Sequence, residues 1–187
     1  MKNLTLSAIL VLLPGLATAG SIEDSMKAFV DKEVRAKLAD PMVVAAVKGA
    51  NASSATLSPN DILALDGQWR AEVGKDSALI KGIVENSTSA LLRDYVVASE
   101  GKITEVILMD AQGLNVAVSD VTSDYWQGDE EKHQRTFGTG PNAIHVSEVE
   151  LDESTQSYQA QVSFTIIDPA TGAGIGAATI GLNAEFF

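Results

Sequence analysis

The chain has 187 residues, no cysteine and a formal net charge of −12 at pH 7. A chain with this negative charge is repelled by nucleic acid and by anionic lipid surfaces, so we expect neither as a partner. Without cysteine there is neither a disulfide to restrict the unfolded chain nor a thiol nucleophile, so stability has to come from packing.

The N-terminal 19 residues predict a secretory signal peptide. Lys2 precedes the apolar run Leu4–Leu13, and the small residues 17–19 provide a cleavage site after Ala19. The run is too short to span a bilayer, and no later stretch of the chain is long and apolar enough to do so. We expect a periplasmic protein with no membrane span. Its mature chain has 187 − 19 = 168 residues and a net charge of 12 − 25 = −13, because only Lys2 is lost from the charged residues.

Helical patterns fill the first half of the mature chain. Apolar residues recur at helical spacing within residues 21–39, which predicts an amphipathic helix with one buried stripe from Met26 to Leu38. The pair Asp40-Pro41 predicts an N-cap followed by a proline at the first helical position. We expect that second helix to stop near Gly49, before a polar linker over residues 51–56.

A third helix is predicted by the same cap-then-proline pattern at Ser58-Pro59, and Gly74 is expected to end it. Trp69 lies on the apolar face of this helix. At such a position an aromatic residue belongs to the core more often than to a binding site. Another helical stretch begins at Asp76, and the polar cluster at residues 86–89 could bend it.

After Gly101 the apolar period changes from helical to alternating. Residues 103–109 and 114–119 flank the turn Asp110–Gly113 and predict a β-hairpin. A loop with a short helix over residues 129–137 follows. Three more strands are then predicted, over residues 143–151, 157–167 and 174–182, with short turns that favour antiparallel pairing. Helices followed by an antiparallel sheet indicate an α+β fold.

The loop after the hairpin carries the most informative pattern. Tyr125 and Trp126 stand between acidic residues, with Gly128 just behind them. Aromatic rings offer apolar contact area and carboxylates orient a polar or cationic group, so this loop could hold a ligand. The same residues also suit a lid packed over the edge of a core. From the sequence both interpretations remain open.

The chain resembles the Cache (PDC) family, the extracellular PAS-like sensor modules of bacterial receptors. The resemblance runs from roughly Asp66 to Asn183. Four segments carry it: residues 65–70, residues 105–117, residues 119–130, and Asp168-Pro169 before a glycine-rich strand. The resemblance implies a central five-stranded antiparallel sheet with a long N-terminal helix behind it. It also implies a small-molecule pocket on the opposite face, roofed by the loop after the second strand.

By position, Tyr125, Trp126 and Asp129 fall on that roof. Family members bind amino acids, amines, small carboxylates or related metabolites, so the resemblance implies a ligand of this kind. The expected polar set of the site is Asp120, Asp124, Asp129 and Arg135. Asp129 could instead cap the short helix, and Arg135 could either clamp a ligand carboxylate or neutralise neighbouring acids.

No metal, cofactor or catalytic site is predicted. Residues 120–131 partly follow an EF-hand register, but Tyr125 stands where the sharp turn needs glycine. His133 and His145 lack a further ligand at metal spacing, and surface roles are expected for both. No nucleophile motif is present, so we do not expect an enzyme.

The sequence therefore predicts a signal peptide (1–19), an N-terminal helical segment (20–57) and a single Cache-like sensor domain (58–187). The resemblance implies a periplasmic ligand-binding protein that passes ligand occupancy to a membrane receptor or another partner. No membrane span or output domain is expected to accompany it. The alternative is a pocketless adaptor or homodimer that acts through the amphipathic helix Met26–Leu38.

Overall fold

The computed structural model describes residues 21–152 and 157–187, so the predicted signal peptide lies outside the described residues. In this part of the chain, no helix has the length and apolarity that crossing a membrane requires.

Helices occupy most of the chain up to residue 98. They are α1 (Ile22–Phe29), a π-helical segment (Val30–Val34), α2 (Arg35–Leu38), α3 (Pro41–Ser54), α4 (Pro59–Glu72), α5 (Ala78–Val84) and α6 (Ser87–Ala98). The short α7 (Glu131–Gln134) lies between strands, and a 3₁₀ turn (Ala184–Phe186) ends the chain.

The two cap-then-proline predictions are confirmed. The Asp40 side chain accepts a hydrogen bond from Met42 N at 2.7 Å at the start of α3. Ser58 and Asp61 form a reciprocal capping box at the start of α4, with Asp61 Oδ2 2.9 Å from Ser58 N. Because these side chains satisfy amides that have no partner inside the helix, both helix starts are fixed locally.

Two helix boundaries differ from the prediction. The second helix does not stop near Gly49 but runs on to Ser54, since a single glycine costs only about 1 kcal/mol in a helix interior. The stretch expected from Asp76 is two helices. Asn86 separates them and caps α6, accepting a hydrogen bond from Ser89 N at 2.8 Å.

The strands are β1 (Ile103–Met109), β2 (Asn115–Val118), β3 (Ile144–Val146), β4 (Glu150–Asp152), β5 (Ser157–Ile167) and β6 (Gly174–Asn183). All pairings are antiparallel, in the order β2-β1-β6-β5-β3, and β4 also pairs with β5. The predicted α+β class is thus confirmed. The single strand expected over residues 143–151 is two short strands, both on β5.

One face of the sheet forms the main core. The long N-terminal helical run, α3 and α6 cover this face, and they bring Met26, Val43 and Leu92 against β5 and β6 residues such as Val162 and Ile180. Each of these five side chains is fully buried. The apolar alternation of the strands therefore matches the helical layer, which is what stabilises a two-layer domain.

The buried stripe of the N-terminal helix has consequences for the adaptor hypothesis. Met26, Val30, Val34 and Leu38 are at most 3% exposed, because they pack on the sheet of their own chain. The apolar surface that an adaptor or dimer would use is therefore already covered, and that alternative loses its structural basis.

The opposite face of the sheet has two parts. Ile107, Met109, Val118 and Ala177 form a second buried apolar cluster on one part, and the other part, here called the polar face, is lined by polar side chains. Thr179 on β6 stands opposite Ser163 on β5, and Gly181 stands between Glu105 on β1 and Gln161 on β5. The loop that contains α7 lies over this face, since α7 contacts β3, β5 and β6.

Candidate functional site

The segment from Ser119 to Ala143, here called the roof loop, is tied to α4 by a buried carboxylate. Asp66 is 1% exposed, and its Oδ1 accepts hydrogen bonds from the backbone amides of Tyr125 at 3.0 Å and Trp126 at 3.1 Å. Its Oδ2 accepts a hydrogen bond from Arg70. A carboxylate that accepts from two amides is a strong fixed link. Asp66 therefore fixes the point where the roof loop carries its aromatic pair.

Trp69, one turn further along α4, supports the same point. Its ring stacks on Tyr125 with centroids 5.4 Å apart and planes 16° apart, and its Nε1 donates to the carbonyl oxygen of Thr122 at 2.9 Å. The predicted core role is confirmed, since Trp69 is fully buried. Burial raises the pKa of the Tyr125 phenol, and the nearby Asp110 carboxylate raises it further.

Trp126 lies against the β1–β2 turn rather than over an open space. Its Nε1 donates to the carbonyl oxygen of Gln112 at 2.8 Å, and its backbone forms a bridge with Leu114. Gly128 also lies close to this turn, since a Cβ at this position would be only 2.6 Å from the carbonyl oxygen of Gln112. Trp126 thus acts as a lid residue that joins the roof loop to the hairpin.

Tyr125, in contrast, lines a cavity of about 460 Å³, here called the hairpin cavity. It lies between α3, the α5–α6 junction and the end of the hairpin, with walls that include Ala50, Leu114 and Val116. Its polar lining includes Asp110, whose Oδ1 accepts hydrogen bonds from the amides of Gln112 at 2.8 Å and Leu114 at 2.9 Å.

A second space lies on the polar sheet face beneath the roof loop. Two adjoining cavities of about 400 and 360 Å³ share Glu130, Lys132, Ser147 and Gln161 in their linings, and together they form the sheet groove. On its floor, Gln161 Nε2 donates to Glu105 Oε1 at 2.7 Å. Gly181 lies between these two residues in the sheet. A Cβ there would come 2.6 Å from the Glu105 side chain, so the glycine leaves room for this pair.

The sheet groove has a strongly negative lining. Six carboxylates line it: Glu105, Asp129, Glu130, Glu131, Glu148 and Glu150. Among the described residues, Lys132 is the only Lys or Arg in this lining. Its side chain is 14% exposed, and its Nζ lies 3.0 Å from Glu130 Oε2 and 2.9 Å from Gln127 Oε1. A carboxylate-lined cleft attracts cationic groups.

The structure does not bring the six predicted site residues together. Tyr125 lines the hairpin cavity and Asp129 lines the sheet groove, whereas Trp126 lines neither. Asp120 is exposed and accepts from the amide of Val121, and Asp124 accepts from Gln127 Nε2.

The contacts of Asp129 and Arg135 bear on the alternative roles that the sequence left open for each residue. The N-cap of α7 is Glu130, without a side-chain cap, so Asp129 does not cap this helix. Arg135 Nη1 lies 3.3 Å from Glu131 Oε2 and its side chain is mostly exposed, an arrangement that suits the neutralising role.

The surface role expected for His133 is wrong. His133 is 7% exposed, and its Nε2 lies 3.2 Å from the carbonyl oxygen of Asp110. Burial lowers its pKa because the charged imidazolium is poorly solvated there. Burial also lowers the pKa of His145, and Arg135 adds to that effect. Within the described residues, no group of three or more His, Cys, Asp or Glu side chains could hold a metal ion.

Several site residues were not found from the sequence. Asn115 and Ser54 line the hairpin cavity, and Glu105, Lys132 and Gln161 line the sheet groove. A weak signal existed for Gln161, because it alternates with apolar residues on β5. That alternation normally indicates a solvated face, and only the tertiary structure shows that a loop covers it.

No family model and no curated protein matches the chain. Three similar solved structures are the ligand-binding domain of the Campylobacter jejuni chemoreceptor Tlp3 in complex with 4-methylisoleucine, the sensor domain of the V. cholerae histidine kinase DctB, and the ligand-binding domain of the Pseudomonas aeruginosa chemoreceptor PctC in complex with GABA. All three are described as sensor or ligand-binding domains.

The respective identities are 15%, 10% and 14%, and the TM-scores are 0.39, 0.38 and 0.40. The matches cover 93%, 86% and 86% of this chain but only 64%, 55% and 59% of the other chains. The chain thus spans less than two thirds of the length of these structures, and the likeness identifies neither a ligand nor a site.

Proposed function

We propose that the chain is an exported ligand-binding protein of the sensor type, and that the sheet groove holds a small metabolite with an ammonium group, such as an amino acid or another amine. The observation that carries this proposal is the buried polar face of the sheet. Ser163 and Thr179 are fully buried with their hydroxyl oxygens 2.9 Å apart, at positions where a merely structural sheet would place apolar side chains.

The polar face is not a solvated outer surface, because the roof loop covers it. It also does not form a dry core, because Glu105, Gln161 and Lys132 line an open groove above it. Concave spaces with a few convergent polar groups are typical of small-molecule sites. The excess of carboxylates favours a ligand ammonium group. The Lys132 ammonium group, which contacts Glu130 and Gln127, has a third hydrogen that could be donated to a ligand carboxylate.

Binding would link the roof loop to the sheet, since the groove is lined by residues of both. A ligand that binds one arrangement of this loop more tightly shifts the population toward it. A membrane receptor or another partner that contacts the loop could then read the occupancy. This step rests on the position of the loop, in which Asp129, Glu131, Gln134 and Arg135 are exposed.

The test is a thermal-shift screen of amino acids, amines and carboxylates on the purified protein, followed by calorimetric titration of each hit. Glu105→Gln keeps an oxygen that can accept from Gln161 but removes the charge. We expect it to weaken an ammonium ligand about tenfold or more, since a hydrogen bond to a charged group contributes about 1.5–3 kcal/mol.

Glu85→Gln is the matched control, because Glu85 is exposed at the end of α5 and does not line the groove. This variant makes the same change in net charge. Equal affinities of the two variants, or the absence of any ligand among the three classes, would contradict the proposal.

A further inference from the structure

Two buried polar atoms in the hairpin cavity have no hydrogen-bond partner among the residues that the structure describes. They are Ser54 Oγ and Asn115 Oδ1, on side chains that are 5% and 1% exposed. Both residues line the cavity, one from the end of α3 and the other from the start of β2. A buried polar atom without a partner costs about 1–3 kcal/mol, so two of them in one lining indicate a place for a hydrogen-bonding ligand.

The Asn115 amide has a defined orientation. Its Nδ2 donates to Thr122 Oγ1 at 2.8 Å and to the carbonyl oxygen of Asp124 at 3.0 Å. Because a carbonyl oxygen can only accept, the NH₂ group must lie on the Asp124 side. The acceptor Oδ1 is therefore the atom without a partner, and it requires a donor.

The rest of the polar lining favours a donor with positive charge. Asp110 is 1% exposed, and among the described residues no Lys, Arg or His lines this cavity. The Asn86 amide, also in the lining, is occupied, since its Nδ2 donates to Val116 O at 3.1 Å and its Oδ1 accepts from Ser89 N. A ligand carboxylate would meet Asp110 with no cation to offset the repulsion, whereas an ammonium group would be attracted.

The remaining wall is apolar. Ala46, Ala50, Leu57, Ile83, Leu114 and Val116 supply it, and Tyr125 contributes an aromatic side chain. Such a wall suits an alkyl or aryl group that extends from the polar end. The cavity volume of about 460 Å³ lies within the range of about 300–1,000 Å³ typical of small-molecule sites.

We propose that the hairpin cavity is a second binding site, separate from the sheet groove, for a small amphipathic amine whose ammonium group lies among Asn115, Ser54 and Asp110. Within the described part of the chain, the cavity and the groove have no lining residue in common. The proposal therefore stands whether or not the groove binds the metabolite proposed above.

The test uses three probes that share one alkyl chain: hexylamine, hexan-1-ol and hexanoate. Titrations into ¹⁵N-labelled protein are followed by NMR, with the side-chain amide signal of Asn115 as the local reporter. We expect hexylamine to shift this signal saturably and to bind about tenfold more tightly than the alcohol, because one charged hydrogen bond adds about 1.4 kcal/mol or more. Hexanoate should bind most weakly.

Three variants locate the probe. Ser54→Ala removes an oxygen that has no partner, so it should keep or raise the melting temperature while it weakens hexylamine binding. Ala50→Leu fills the cavity from α3 and should abolish binding. Ala52→Leu is the matched control, because Ala52 is exposed on the same helix and does not line the cavity.

Three results would overturn the proposal: no saturable shift with hexylamine, hexanoate binding as tightly as the amine, or unchanged affinity in both Ser54→Ala and Ala50→Leu. Should Ala50→Leu unfold the protein, Ser54→Ala still decides the question. Glu105→Gln in the sheet groove should leave hexylamine binding unchanged, so failure at one site is distinguishable from failure at the other.

Discussion

Replacing Asp66 by alanine should release the roof loop and lower the stability of the protein. The carboxylate is 1% exposed and accepts the backbone amides of Tyr125 and Trp126. Alanine cannot accept a hydrogen bond, so two half-buried amides lose their partner. Arg70 also loses its partner, but its side chain is 59% exposed and can turn to water at little cost.

The expected cost follows from these contacts. An amide that loses its partner inside a protein costs about 1–3 kcal/mol; about 2 kcal/mol for each of these two half-buried amides gives about 4 kcal/mol for the pair. For a chain of this length, 1 kcal/mol lowers the melting temperature by about 2–4 °C, so a decrease of about 12 °C is expected. Asp66→Asn retains an acceptor oxygen and loses only the charge, which should cost about 1–2 kcal/mol.

Tryptophan fluorescence reports this change directly. The chain has two tryptophans. Trp69 donates to the roof loop and Trp126 belongs to it. Denaturant unfolding followed by fluorescence and by far-UV circular dichroism gives the stability. An Asp66→Ala variant within 0.5 kcal/mol of the unsubstituted protein, with unchanged fluorescence, would refute the assigned role of Asp66.

Two further substitutions test the fold around the roof loop. Burial lowers the pKa of His133, so the unfolded state takes up its proton more readily, and stability should fall as the pH decreases through the unfolded value of about 6.5. His133→Gln should reduce this fall in the melting temperature between about pH 7 and 5; an unchanged pH profile would contradict the assignment. Gly128→Ala places a Cβ 2.6 Å from the carbonyl oxygen of Gln112. It should cost about 1–3 kcal/mol in denaturant unfolding, and a neutral result would show that the loop relaxes freely.

The fold could be predicted well from the sequence where local signals agreed. The bounds predicted for β1 and β5 match the structure, because β1 is rich in β-branched and apolar residues, β5 alternates apolar and polar residues, and turn residues flank both. The start of α4 was equally clear, since cap, proline and apolar spacing coincide at Ser58. Local signals were weaker at Gly49, where the packing of α3 on the sheet outweighs the low helix propensity of one glycine.

The site was less predictable because its parts are distant in sequence. The roof loop takes its fixed position from Asp66 and Trp69, which precede Tyr125 by more than 50 residues along the chain. The sequence identified Tyr125 and Trp126 as a pair, but the structure turns one toward the hairpin cavity and uses the other to hold the β1–β2 turn. Adjacent residues in a loop need not share a face, and only the tertiary contacts decide which one meets a ligand.

One loop residue connects the two spaces. Gln127 is 1% exposed, its Nε2 donates to Asp124 Oδ1, and its Oε1 accepts from Lys132 of the sheet groove. The Asp124 carbonyl oxygen accepts from Asn115 of the hairpin cavity. Gln127 Nε2 also donates to this same carbonyl oxygen at 3.3 Å, so the Asp124 carbonyl is shared by residues of both spaces. The two spaces are thus linked by the roof loop itself, and any coupling between them must act on both affinities by the same factor.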